Sequence, residues 1–168
     1  LNPQSTPMKV PRQAPFNMND PRNPAHRKAG IYHWTPDVVD YSNPQQELNF
    51  QMAGLDDLNS ENPRVRRALR DSYAHWIRNV GVDAFRLDTA FYVPTEAIQD
   101  FLYAKDSQYP GMQRVAQQTG RKDFFMFGEG FAIGKPGDTQ AMSKIEAYVR
   151  DAQGKPVMQG MLNFTLYG

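Results

Sequence analysis

Two acidic residues in this chain stand where a carboxylate could do chemistry. The segment Val82-Asp83-Ala84-Phe85-Arg86-Leu87-Asp88 has the make-up of a short strand and ends in an acid. Side chains alternate faces along a strand, so Val82, Ala84, Arg86 and Asp88 share one face while Phe85 and Leu87 share the other. A guanidinium two residues before Asp88 would keep its carboxylate ionised and fixed in rotamer, as a nucleophile requires. The same pair serves equally as a structural ion pair closing a layer of a barrel. The second acid is Glu129, held between Gly128 and Gly130 after the apolar run Phe124-Phe125-Met126-Phe127. A solvated charge is oddly placed there, whereas burial among apolar neighbours favours the protonated form that a general acid needs. A turn residue capping a loop is the alternative. If the two strands are neighbours, about 4.7–4.9 Å separates them. Carboxyl groups at their tips would then lie about 5–5.5 Å apart, the spacing of retaining glycosidases, where inverting ones need about 6.5–9.5 Å.

Positioning such a pair falls to the elements around it. Asn62-Pro63 starts a helix, with Asn as N-cap and Pro in the first turn. Val65, Ala68, Leu69, Tyr73, Trp76 and Ile77 follow at spacings of three and four, forming one apolar stripe, and Gly81 offers a left-handed C-cap. The strand ending in Asp88 comes next. A helix from a Thr95 N-cap to Lys105 and another from Pro110 to Gln118, stopped by Gly120, precede Phe124–Gly128, whose continuous apolar character predicts a strand buried on both faces. Asp138 caps a further helix through Ala152, with Gly154 beyond it, and Val157 to Leu166 reads as a last strand. Alternating helices and strands predict an α/β fold with parallel strands, whose carboxyl ends are the usual place for ligands. Residues 1–54 lack such order. Leu1 to Gly30 is rich in Pro, Asn, Gln and Arg, and Ile31 to Phe50 is loop-rich with one short strand and a turn at Asn43-Pro44. The division expected is therefore 1–54 irregular and 55–168 α/β.

Composition removes several classes. The chain has 168 residues and a formal net charge of +1, which indicates neither a nucleic-acid surface nor an acidic tail. It has no cysteine, so disulfides, thiolate metal sites and cysteine nucleophiles fall together. No apolar run approaches the roughly 20 residues that span a bilayer. The first ten residues show no signal-peptide pattern, which for an internal fragment says nothing of export. Many secreted bacterial enzymes lack cysteine, so a secreted or periplasmic bacterial location is compatible with the sequence. Neither a Gly-rich phosphate loop nor a Ser/His motif points to a different α/β enzyme.

Gly81-Val82-Asp83-Ala84-Phe85-Arg86-Leu87-Asp88-Thr89 resembles the fourth-strand motif of the α-amylase family, in which Arg-x-Asp carries the nucleophile. Phe127-Gly128-Glu129 is similar to the fifth-strand motif that ends in the acid/base glutamate. Leu55-Asp56-Asp57-Leu58-Asn59 with Asn62-Pro63 looks like the segment before the third helix, and Met161-Leu162-Asn163-Phe164 resembles the sixth strand. The resemblance runs from Ile31 onward. It implies a partial (β/α)₈ barrel, strands four to six with their helices, preceded by the loop-rich end of an inserted domain. It also implies double displacement at an α-glucosidic bond of an α-glucan or maltooligosaccharide, with Asp88 as nucleophile, Glu129 as acid/base and Arg86 orienting Asp88. A transglycosylase of the family, or a non-catalytic relative that keeps the barrel, is the alternative.

Departures from the family pattern suggest further residues. Phe91 and Tyr92 replace a Lys-His pair and would either stack on a sugar at an acceptor subsite or pack in the core. Asp56 replaces a proline, and Asp57 corresponds to a ligand of structural calcium in some members. The implied chemistry itself needs no cofactor. His33 and Trp34 would line a sugar site or pack the irregular domain. The motifs of the first and seventh strands are not among these residues, and a complete barrel takes roughly 250 residues. The chain is thus expected to be a segment that is inactive alone and needs the remaining barrel segments of its protein.

Overall fold

Three Asn-Pro pairs start three helices. The computed structural model describes residues 11–132, 135 and 137–164. In it Asn23, Asn43 and Asn62 precede α1 (Pro24–Ala29), α2 (Pro44–Asn49) and α3 (Pro63–His75). Each asparagine accepts from a backbone N–H of the first turn: Ala25 for Asn23, Gln45 and Gln46 for Asn43, Arg64 for Asn62. Proline at the first helical position has no N–H to leave unsatisfied, so the pair is a natural start. This corrects the irregular reading of residues before Gly30 and the turn reading of Asn43-Pro44. Gly30, left-handed at φ 58°, closes α1.

The chain packs as two units that divide in sequence between Leu69 and Arg70. In the first, Ile31, Tyr32 and Val65 form a small core with Phe16, Met18, Trp34 and Leu58 packed against it. Tyr32 donates its hydroxyl to the Phe16 carbonyl at 2.7 Å, and the Asn62 amide reaches back to the Ala29 and Gly30 carbonyls at 2.9 Å. The short strand expected between Ile31 and Phe50 is reduced to isolated bridges, Tyr32 with Leu58 and Asp37 with Gln51.

The second unit alternates strands and helices. Beyond α3 the chain winds as one π-helical turn, Trp76–Val80, before Gly81 at φ 85°. The wider turn shifts the apolar stripe: Ile77 is buried, but Trp76, expected inside, is exposed. There follow β1 (Ala84–Leu87), α4 (Thr95–Tyr103), α5 (Met112–Gln118), β2 (Phe125–Gly128), α6 (Thr139–Ala147) and β3 (Gly160–Met161). The three strands form one sheet in the order β1-β2-β3, and both pairings are parallel. Thr95 is the first residue of α4, with Pro94 in the capping position. Asp138 caps α6 as expected, accepting from Gln140 and Ala141. That helix ends at Ala147, short of Ala152, because buried Tyr148 turns inward and donates to the Phe91 and Val93 carbonyls at 3.1 Å. Gly154 then belongs to a turn in which it donates to the Asp151 carbonyl. The last strand is shorter than expected, with Val157 and Met158 buried before it, and residues 165–166 of that expectation lie outside the described residues.

One face of the sheet packs on helices. Phe85, Leu87, Phe124 and Met126 join Ile98, Leu102, Met112, Val115 and Ala116 in the core. The other face carries Ala84, Arg86 and Asp88 on one strand and Phe125 and Phe127 on the next. Phe125 is 44% exposed, so β2 is not buried on both faces. A sheet of three strands does not curl upon itself, and among the described residues none forms a second layer on that face.

Arg70 is the one fully charged side chain buried in the second unit's described residues, at 4% exposure, and α3 sends it into a ring of acceptors. It donates to the Tyr109 carbonyl at 2.7 Å and makes ion pairs with Asp100 and Asp106. Arg70→Ala would leave those acceptors without their donor, and is expected to cost about 3 kcal/mol of stability. Arg70→Lys should recover only part, since an ammonium cannot span three acceptors at once. Urea unfolding of the three proteins measures both.

Candidate active site

Strand register decides whether the two acids meet. Ala84 pairs with Phe125 and Leu87 with Gly128, so the next pair in the ladder is Asp88 and Glu129. The first backbone bond confirms the step, Glu129 N–H donating to the Leu87 carbonyl at 2.8 Å, while the Glu129 carbonyl accepts from Ala90 N–H at 2.7 Å, one residue later than a regular ladder gives. By strand alternation, Asp88 and Glu129 stand on the open face with Arg86, at the carboxyl ends of adjacent parallel strands. The adjacency expected from sequence is therefore present.

Arg86 forms its ion pair with Glu129, not with Asp88 as the resemblance implied. The diagonal to the neighbouring strand is longer than a two-residue step along one strand, and the longer glutamate side chain can cover it. The Glu129 side chain is 16% exposed and that of Arg86 53%, so the carboxylate sits in the site while the guanidinium remains open to solvent.

The glycines flanking Glu129 are there for space. A Cβ on Gly128 would sit 2.9 Å from the Ala90 Cβ and 2.7 Å from the Met158 methyl. A Cβ on Gly130 would sit 2.6 Å from the Phe91 ring. Phe91 itself is 3% exposed, meets Tyr148 edge-on at 5.1 Å between centroids and carries the Lys144 ammonium over its face at 4.5 Å. A ring covered in this way cannot receive a sugar, which corrects the subsite reading of Phe91 in favour of packing. Tyr92 is half-buried.

An aromatic pair that the sequence reading passed over lies beside Glu129. Phe131, two residues after it, is 70% exposed, and its ring stacks on Phe164 at 4.9 Å with an interplanar angle of 21°. Nothing local in the sequence distinguishes Phe131 from the buried phenylalanines. The signal lay in its place just past the strand end, where a side chain can leave the core.

The remaining candidates belong to the first unit. His33 Nδ1 lies 2.6 Å from Asp57 Oδ2 and its Nε2 lies 3.2 Å from Glu61 Oε2, while its backbone N–H donates to the Asp57 carbonyl. The Asp57 bond pushes the imidazole above its ordinary pKa, against the opposing effect of burial. Burial pushes the Asp57 carboxyl up, with His33 pulling the other way. Asp57 is thus engaged by a ring nitrogen, and among the described residues no group of three or more His, Cys, Asp or Glu side chains is arranged to hold a metal. Trp34 packs against the small core, 6.0 Å from Tyr32 between centroids, and its buried indole N–H has no partner among the described residues.

Several known proteins are similar to this chain. The family model described as the alpha-amylase catalytic domain covers residues 6–163. An alpha-amylase of Streptomyces lividans is 31% identical over 120 residues, 71% of this chain and 11% of that protein. A beta/alpha-amylase of Paenibacillus polymyxa is 42% identical over 79 residues, 44% of this chain and 6% of that protein. The crystal structure of alpha-amylase from Geobacillus thermoleovorans, complexed with acarbose, superposes with a TM-score of 0.61 at 26% identity, covering 89% of this chain and 28% of that one. The chain therefore spans a small part of the length of each of these relatives.

The His33 contacts carry a pH dependence of known sign. A folded-state pKa raised above the unfolded value stabilises the fold fully below about pH 6.5, and that contribution is lost as pH rises through the raised value. Asp57, also raised, loses its own contribution in the carboxylate range, well below that window. Urea midpoints should therefore fall as pH rises above about 6.5, and His33→Gln should flatten that fall.

Proposed function

Because this chain belongs to the alpha-amylase catalytic-domain family, we propose that the barrel to which it contributes cleaves α-glucosidic bonds of α-glucans with retention of configuration. The observation that supports this reading is the register pairing of Asp88 with Glu129 on one open face, at the carboxyl ends of adjacent parallel strands. Carboxylates so placed suit the spacing of about 5–5.5 Å at which one attacks the sugar directly and no water fits between.

In this reading the Asp88 carboxylate attacks the anomeric carbon and a glycosyl ester forms as the bond to the leaving oxygen breaks. Glu129 gives that oxygen a proton. It then takes one from water, whose oxygen displaces Asp88 and regenerates both groups. An acceptor sugar hydroxyl in place of water gives transfer by the same two steps. Glu129 has to leave Arg86 before it delivers a proton, and the half-exposed guanidinium is long enough to turn to Asp88 and fix the nucleophile. The Phe131–Phe164 stack offers an apolar face for a sugar ring next to Glu129, the role that buried Phe91 does not fill.

The activity is assigned to the complete barrel. Three strands supply the nucleophile and the acid/base, while ring closure and the rest of the sugar site need further strands. Turnover by the 168-residue chain alone would overturn that assignment.

In the complete enzyme, Asp88→Asn is expected to lower kcat by about 10⁴-fold or more with folding intact. Glu129→Gln should lose about 10²–10⁴-fold on oligosaccharides and much less on glucosides whose leaving group needs no proton. Proton NMR of the first product should show the α-anomer, and a β-anomer would refute retention. Phe131→Ala is expected to raise KM several-fold, by about 1 kcal/mol of lost stacking, with little change in kcat. An unchanged KM would remove Phe131 from the sugar site.

A further inference from the structure

The ladder between β1 and β2 contains an irregularity at the two acids. In a regular parallel ladder, a residue opposite Asp88 donates its N–H to the carbonyl of residue 87 and accepts at its own carbonyl from the N–H of residue 89. Glu129 does the first, donating to the Leu87 carbonyl at 2.8 Å. For the second it accepts from Ala90, at 2.7 Å, one residue later than the pattern requires. Thr89 is therefore an extra residue, and Asp88 and Glu129 face each other across a parallel β-bulge.

The backbone of Thr89 confirms how the residue is accommodated. It is left-handed, at φ 48° and ψ 43°, a conformation unfavourable for a β-branched side chain. Its side chain makes no capping bond to the 3₁₀ turn Ala90–Tyr92 that follows, so no local hydrogen bond offsets the strain. The other described non-glycine residue with positive φ, Ala53, sits beside Gly54 in an exposed turn. Thr89 instead stands between the nucleophile and a buried segment. The reversal it makes drops Ala90 onto Gly128 and Phe91 onto Gly130, so that Glu129 is gripped on both sides by the residues after the bulge. Two backbone hydrogen bonds and two glycine contacts thereby tie the acid/base to the peptide that carries the nucleophile.

Resting on the assignment of Asp88 and Glu129 as the reacting pair, we infer that Thr89 is a positioning residue: its left-handed bulge sets the placement of one carboxylate against the other. It acts through its backbone and touches no substrate. A misplacement of about 1 Å is enough to cost about 10²-fold in rate.

The test uses the complete enzyme with a maltooligosaccharide. Thr89→Pro holds φ near −65° and cannot form the bulge. It is expected to lower kcat by about 100-fold or more with KM within about threefold, with the circular dichroism spectrum unchanged. Thr89→Asn and Thr89→Gly adopt the left-handed conformation readily and should keep kcat within about threefold. Thr89→Asn should also raise the melting temperature by about a degree or more, as strain is relieved. A folded Thr89→Pro enzyme with normal kcat overturns the proposal, as do Asn and Gly variants that lose as much rate as Pro. Should Thr89→Pro fail to fold, the Asn variant decides: a lowered melting temperature refutes the strain, and a raised one with preserved kcat supports it. Asp88→Asn is measured in parallel. If that variant keeps its rate, the assignment of the pair fails; if it loses its rate while Thr89→Pro does not, only the bulge is refuted.

Discussion

Everything chemical in this chain depends on the parallel register of β1 with β2. Each strand has only four residues, and each ends in a single acid just past its last regular pairing. A slip of one residue would turn one acid from the open face into the helix-packed core. What prevents the slip is the packing beneath: Phe85 meets Phe124 edge-on at 5.1 Å, and Phe85 and Phe101 both meet Tyr73 in the same way at 5.4 Å. This aromatic cluster holds both strands to the helices, and the hydrogen bonds complete an alignment that side-chain shape has already selected.

Burial of charge is handled in two ways. In the second unit, buried Arg70 is surrounded by acceptors from α4 and from the segment after it, so α3, α4 and that segment are joined by a group that tolerates no partial solution. In the first unit, His33 is set against Asp57 and Glu61, contacts that raise its pKa. The first unit has little core and relies on such polar contacts. The second has a continuous apolar core and spends its polar groups at the strand ends.

Much of this was legible in the sequence where local chemistry and periodicity agreed. Asn62-Pro63, Asp138, Gly81 and the alternation from Val82 to Asp88 each specify an element through a short-range cause, and each was read correctly. The Asn-Pro pairs at 23–24 and 43–44 carried the same start signal. The six-residue helices they open are too short to show an apolar stripe, so the signal had nothing to support it. Phe91 and Phe131 show the opposite limit. One is core and one is surface: Phe91 is carried onto Gly130 by the turn at Thr89, whose left-handed backbone no propensity for threonine would suggest, whereas Phe131 lies just past the end of β2. The partner of Arg86 was misjudged for a related reason: Asp88 is near in sequence, but Glu129 is near across the sheet.

The grip on Glu129 has a consequence for motion. Asp88 and Glu129 belong to segments joined by hydrogen bonds on both sides of Asp88, so a fluctuation that tilts or shifts one strand carries the other with it. Their separation then varies less than the position of either. Groups contributed by other strands move against the pair as one body, and thermal breathing of a barrel blurs their distances to it first. The two acids form a fixed gauge, and any adaptability of the site resides in whatever surrounds them.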